Sequence, residues 1–311
     1  MDRSHPSSSD RAGWTLVELL VVLGILVLLF ALIVPAVMWS RAAARKANCQ
    51  SHLKQIGLAL HSYHAAHRCF PAGGMNGFSP HVAILPFIEQ TALYEQIDFS
   101  ESFWLSPSEK FETVLATGVV LYRCPDSPSG RPRSTSYIAA NGTGLLFGGE
   151  NGMFIVPQKT DQKLIRASRI ADGLSNTVAF SETIYGDKSD DPRAKELRTS
   201  QEYPKGEGEA FHAECLAIVP SESVTPSSLG WPWMGGGRGS TLYVHTLGPN
   251  TRDCLNGGDV PTGIWSASSR HSDGVNVLNA DGAVRFVGDA IDREIWRAAA
   301  TRAGGESSAS L

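Results

Sequence analysis

The sequence is short of nearly every pattern by which a catalytic or nucleic-acid-binding chain is read. Net charge is −4 over 311 residues, so there is no basic surplus to neutralise a phosphate backbone, and nucleic acid is not an expected partner. G-x-S-x-G, H-E-x-x-H and K-T-G do not occur. Their absence leaves no hydrolase elbow or zinc-protease helix, and no companion for the S-x-x-K formally present at Ser51 to Lys54. The glycine run at 235–240, GGGRGS, lacks the G-K-[ST] ending of a phosphate-binding loop. Cysteine is scarce: Cys49, Cys69, Cys124, Cys215 and Cys254 are the five, widely spaced and without a C-x-x-C pair, so a finger-type zinc site is not expected. In an oxidising compartment they close at most two bridges with one thiol over, and spacing does not choose the pairing. No enzyme activity, cofactor or metal follows from these patterns.

What the chain does have is one long hydrophobic run. From Trp14 to Trp39 it is almost wholly apolar, with Glu18 as its one charge. As a helix at about 1.5 Å per residue it covers a hydrocarbon core of roughly 30 Å. A secretory signal would be shorter and end in small residues, whereas here the small residue, Gly13, precedes the run. An ionisable group inside a bilayer costs on the order of 2.5–3.5 kcal/mol at mid-helix, so Glu18 needs a partner or a place near the headgroups. Arg41, Arg45 and Lys46 follow the run, and Arg3 and Arg11 before it are offset by Asp2 and Asp10. That charge distribution alone favours an inward-facing C-terminus.

The order Gly13, Trp14, Thr15-Leu16-Val17, Glu18 resembles the prepilin-type cleavage and methylation segment of type IV pilins and pseudopilins. The resemblance implies that a prepilin peptidase cuts after Gly13 on the cytoplasmic face and that the Trp14 amine, then methylated, pairs with the Glu18 carboxylate of a neighbouring subunit. Pro35 falls where pilins often carry a proline; Trp14 departs from the usual Phe. This orientation overrides the charge rule, and it gives the basic residues after the run a place inside an assembly.

Beyond Trp39 strong helix formers continue, with Leu53, Ile56, Leu60 and Tyr63 at three- and four-residue intervals, so one helix is predicted to reach about His67. His52, His61, His64 and His67 punctuate it without a carboxylate among them and read as a solvated or packed face. HVAILPFIEQTALYEQI reads as a strand or buried segment and then a short helix. VVLYRCP and STSYIAANGTG read as strands, as does Asn176 to Glu182, and 186–209 reads as an exposed loop. Trp231, Trp233 and Tyr243 mark an aromatic and glycine-rich segment that packs, or stacks on a glycan if exposed. GVNVLNADGAVRFVG is a hairpin about Asp281-Gly282, followed by a helix capped near Asp289 and stopped at Gly304-Gly305.

These segments together resemble the family catalogued as domain of unknown function 1559, prepilin-like proteins with a C-terminal H-x9-DG signature. The carriers are NCQSHLKQIGLALHSYH at 48–64, LPFIEQTALYEQI at 85–97, YRCP at 122–125, SRIADGLSNT at 168–177 and SSRHSDGVNV at 268–277, with His271 in register with Asp281 and Gly282. The resemblance implies an inner-membrane, single-pass pseudopilin-like subunit. Its expected α+β, type IV pilin-like fold packs a long N-terminal helix on an antiparallel β-rich extracytoplasmic head. The family has also carried a solute-binding label, which makes a tethered binding protein the alternative. His271 and Asp281, expected on adjoining strands, lack a nucleophile and an oxyanion donor set, so a structural role is expected for both. The organisation is then a leader at 1–13, a transmembrane stretch at 14–39, the second half of the helix at 40–68, a head at 69–303 and a loose tail at 304–311. Prepilin peptidase, like subunits and the membrane are the expected partners.

Overall fold

A run of apolar side chains followed by a run of strong helix formers favours one continuous helix, which ends at His67, ahead of Arg68 at φ +62° and Pro71. The computed structural model describes residues 15–105, 109–126, 132–144, 151–157, 164–185, 191–204, 207–218, 225–257 and 262–306. In it α1 runs from Leu16 to His67 as one helix of 52 residues with Pro35 inside it. The leader, with Gly13 and Trp14, lies outside the described residues, as does the end of the tail. The chain divides into two compact units, Met1–Ala44 and Arg45–Leu311.

In the first unit every large apolar side chain from Leu16 to Trp39 that bears on the question is exposed, Leu16, Leu20, Phe30 and Trp39 by more than half. Length and composition make this the one stretch among the described residues able to cross a membrane, as a span or as a signal anchor.

The second unit begins on the same helix, but there the chemistry changes. Cys49, Leu53, Ile56, Gly57, Ala59 and Leu60 are buried, forming the expected stripe, and Tyr63 packs at its edge. Short helices follow: α2 (Pro80–Ala83), α3 (Thr91–Tyr94) and α4 (Glu109–Thr117). The strands are β1 (Tyr137–Ala140), β2 (Val178–Glu182), β3 (Lys195–Arg198), β4 (Thr225–Pro226), β5 (Leu242–Tyr243), β6 (Asp253–Leu255), β7 (Gly263–Ile264), β8 (Gly274–Asn279) and β9 (Val284–Gly288). Helix α5 (Gly208–Ala217) precedes β4, and α6 (Arg293–Ala298) closes the fold, capped by the Asp292 side chain on the amides of Glu294 and Ile295.

One sheet has the order β5-β1-β2-β8-β9 and a second β4-β3-β6-β7. The head is therefore α+β as expected, but mixed where a purely antiparallel arrangement was anticipated, because β1 pairs β5 and β3 pairs β6 in parallel. Both parallel pairs join strands far apart in sequence, which gives the chain the length a crossover needs. Apart from its edge strand β9, the first sheet is buried on both faces. Leu278, Ala139 and Phe180 pack with Leu53 and Ile56 of α1, while Val275, Val277, Ile138 and Val287 pack with Trp296 of α6. A third cluster, around Phe211, Leu197 and Ile264, holds the second sheet to α5.

Two local expectations give way and a third resolves to one of its alternatives. HVAILP is the buried segment rather than a strand, and it is helical because Pro80 and Pro86 sit in the first turns of α2 and of a 3-10 turn at Leu85–Ile88, where a missing N–H costs nothing. VVLYRC forms a 3-10 turn at Val120–Tyr122 with no partner strand; Tyr122 is buried and donates its hydroxyl to the His81 carbonyl at 2.7 Å. The described part of 186–209 is not an exposed loop, since Ala194, Leu197 and Tyr203 are buried and β3 pairs with β4 and β6.

Candidate functional site

The alternation in β8 decides the site. Val275 and Val277 turn to α6, which leaves Asn276 and Leu278 facing α1. Gln50 donates from Nε2 to Asn276 Oδ1 at 2.9 Å, and Leu278 lies over Gly57, where a Cβ would stand 2.9 Å from Leu278 Cδ1 and 3.4 Å from the Gly282 Cα. Glycine there lets the helix and the hairpin approach to backbone contact.

Beyond β8 the chain turns at Asp281-Gly282. The Asp281 Oδ1 accepts from the Ala283 amide at 2.8 Å, the Gly282 amide donates to Asn279 O at 2.9 Å, and Gly282 adopts φ +85°, a conformation that favours glycine. The Gly282 carbonyl then accepts from Lys54 Nζ of α1 at 2.7 Å.

His271 lies at the other end of β8. The two polar members of the signature, expected on adjoining strands, are thus separated by the six residues of the strand, about 20 Å of extended chain, and never form one site. His271 is buried; its Nδ1 is 3.1 Å from Asp126 Oδ2 and its Nε2 3.3 Å from Glu182 Oε1. The Cys124 Sγ is 3.9 Å from the same Nε2, and Cys124 is bridged to Cys49 on α1. Asn276 holds Glu182 with two bonds, its amide to Oε2 at 2.8 Å and its Nδ2 to Oε1 at 3.0 Å. Arg45 of α1 donates from Nε to Asp126 Oδ1 at 2.6 Å. Each end of the signature therefore grips α1, one through Lys54 and the other around the Cys49–Cys124 bridge.

Helix residues given to an assembly by the sequence are also used by the head: Arg45 pairs with Asp126, and the Lys46 ammonium stands 3.0 Å over the Phe286 ring. The four histidines go separate ways. His52 Nδ1 lies 3.1 Å from Arg123 O, His61 and His64 lean on Phe70, and His67 lies against Tyr63. Cys215 pairs with Cys254 inside the third cluster and Cys69 stays a free, half-buried thiol, raised by burial. In the aromatic segment Trp233 and Tyr243 are core residues, and Trp231 is the exposed one. A separate cavity of about 430 Å³ opens between the end of α1 and α2–α3, lined by Tyr63, His67, Met75, Phe87, Tyr94 and Phe99.

The family described as "protein of unknown function (DUF1559)" matches residues 39–294, which contain the second half of α1 and the whole signature. The chain belongs to this family. In DUF1559 terms the match begins at Trp39, so the apolar run with Glu18 and Pro35 precedes it. No curated protein and no solved structure matches the chain.

Glu18 has a partner on its own chain that the sequence reading passed over. Its Oε2 accepts from the Thr15 amide and hydroxyl, both at 2.9 Å, while the Thr15 hydroxyl accepts from the Glu18 amide at 3.2 Å. That reciprocal pair is a capping box, legible in T-L-V-E. Asp126 and Glu182 were missed as well. Glu182 carried a signal, since it is the one acidic residue of a predicted strand and that strand is buried throughout. Asp126 carried none.

Proposed function

We propose that the protein is a membrane-anchored, pseudopilin-like subunit of the inner membrane. In this reading it is cut after Gly13, exposes its head outside the cytoplasm and assembles with like subunits through the first half of α1. The observation that carries this is the exposed apolar half of a helix whose other half is fastened to the head by a disulfide, a lysine bridge and a glycine contact. Two disulfides in the head support an oxidising compartment. Glu18 then has two jobs, the capping box within its chain and a charge for the Trp14 amine of a neighbour, and these separate by substitution. Glu18→Gln keeps a capping side chain and removes the charge.

The test is the N-terminal mass of the protein from native membranes with and without an active prepilin peptidase, together with cross-linking of the wild type and Glu18→Gln. A mature chain starting at Trp14 whose cross-linked oligomers vanish in Glu18→Gln supports the reading; an intact leader, or unchanged oligomers, removes it. A tethered solute-binding protein is the second reading. The aromatic cavity beside Tyr63 and Phe87 favours it, and it predicts ligand capture that Glu18→Gln leaves intact.

A further inference from the structure

The two disulfides of the head sit in different surroundings. Cys215–Cys254 is packed among Leu197, Phe211, Val244 and Ile264, an apolar setting with nothing for a sulfur to do but stay bridged. Cys49–Cys124 also borders the apolar core, but an imidazole and a carboxylate reach it as well. Among the described residues Cys49, Cys124, Glu182 and His271 form the one group of this kind, all four buried and each offering a ligand atom within 4.8 Å of the others.

We infer that this group is a divalent metal site, of the zinc class, that exists when the Cys49–Cys124 bond is open. Tetrahedral zinc with bonds of about 2.0–2.3 Å sets its ligand atoms about 3.3–3.8 Å apart. His271 Nε2 and Glu182 Oε1 are already 3.3 Å apart, and Cys124 Sγ stands 3.9 Å from the imidazole. The outer shell is also in place. Asp126 Oδ2 faces the far nitrogen, Nδ1, at 3.1 Å, the arrangement that fixes a neutral ligating tautomer, and Asn276 orients Glu182 with two bonds. A cavity of about 10 Å³ lies against Cys124, Asp126 and Glu182, room for one water-sized guest. Cys124 lies just beyond the 3-10 turn at Val120–Tyr122, outside any helix or strand.

The chemistry balances with a dithiol as reductant. Its two sulfurs become a disulfide while the Cys49–Cys124 bond breaks and each cysteine sulfur takes a proton. On metal binding both thiols release their protons, and His271 gives the Nε2 lone pair while Nδ1–H stays with Asp126. Oxidation reverses both steps and expels the ion. The family's histidine is then a metal ligand in one state of the protein and lies between the Asp126 and Glu182 carboxylates in the other.

The experiment uses the full chain in detergent, reduced with a phosphine that is then removed without air, and titrated with Co²⁺ alone. One Co²⁺ per chain with tetrahedral visible bands and thiolate charge-transfer absorption is expected, displaced by Zn²⁺ and lost on reoxidation. The bands should be absent from C49S/C124S, which retains the other three cysteines, and from His271→Ala. Asp126→Asn should keep the spectrum and weaken affinity about 10–100-fold, a result that a purely structural role would not give. Absent bands in the reduced wild type, or equal bands in C49S/C124S or His271→Ala, overturn the inference. If the reduced chain melts early, Zn²⁺ must raise its melting temperature in the wild type and not in His271→Ala; failure to do so overturns it equally.

Discussion

Lys54 of α1 holds the carbonyl oxygen of Gly282 at 2.7 Å, so the turn of the hairpin is tied directly to the helix that carries the long apolar segment. The bond meets a glycine whose φ of +85° presents that carbonyl without strain.

Lys54→Met removes the charged donor from an exposed position and should cost about 0.5–1.5 kcal/mol. Gly282→Ala forces a Cβ into the left-handed region and should cost roughly 1–2 kcal/mol. Because both act on one contact, the double variant should lose less than the two single losses added together, read by denaturant unfolding in detergent.

At Gly57 two effects oppose. Alanine gains about 0.8–1.0 kcal/mol of helix propensity, yet its Cβ needs the end of Leu278 to give way from 2.9 Å. Gly57→Ala should therefore be near neutral, whereas Gly57→Leu should lose about 1–3 kcal/mol by overpacking against Leu278 and Gly282. Melting temperatures of the three chains decide it.

Opening Cys49–Cys124 by the double serine variant removes a link across a sequence separation of 75 and should cost about 2–5 kcal/mol. Helix content should persist, since Leu53, Ile56 and Leu60 still bury the stripe. Circular dichroism before and during chemical unfolding separates the two quantities.

Asp253 gives the head an acid-side stability component. Burial pushes its carboxyl from 3.8 up to about 7 against the bonds from Ser227 and the Ser266 amide, with Glu196 adding to the rise. The folded chain then holds a proton that the unfolded chain has released. This contribution is complete below pH 3.8 and disappears as pH rises to about 7. His81 and His245, lowered by burial to about 4 and about 3, act in the opposite sense and favour folding as pH rises toward 6.5. Asp253→Asn stays neutral at every pH, so its stability relative to wild type should climb between pH 4 and 7, by at most about 1.4 kcal/mol per pH unit. Unfolding titrations across that range test the sign.

The helix and hairpin were legible because their signals are local: a membrane-length apolar run, a stripe at Leu53, Ile56 and Leu60, and Asp-Gly between alternating strands. The apolar stretch HVAILP left strand and buried segment open, and Pro80 and Pro86, each at a helix start, decide for short helical turns. Strand β3 was invisible because its partner β6 lies far along the chain and no local pattern encodes a parallel pair. The site was half legible. His271 stood out through its spacing to Asp281, but its neighbours Cys49, Asp126 and Glu182 come from elements scattered over the chain, and only the fold gathers them. Glu182, the one carboxylate in the strand V-A-F-S-E, was the one clue to that gathering.

The position of Cys49 also has a mechanical consequence. It is the first fully buried residue of α1, and the bridge to Cys124 lies at that entry point rather than at the far end of the helix. Tension applied along the apolar segment meets the Arg45–Asp126 and Lys46–Phe286 contacts first and then, at Cys49, a covalent bond that takes the load before Gln50, Lys54 or Gly57 is pulled. With the bridge closed the helix cannot be peeled from β8 one turn at a time; with it open, the same pull would unzip the seam from its membrane-side end, bond by bond.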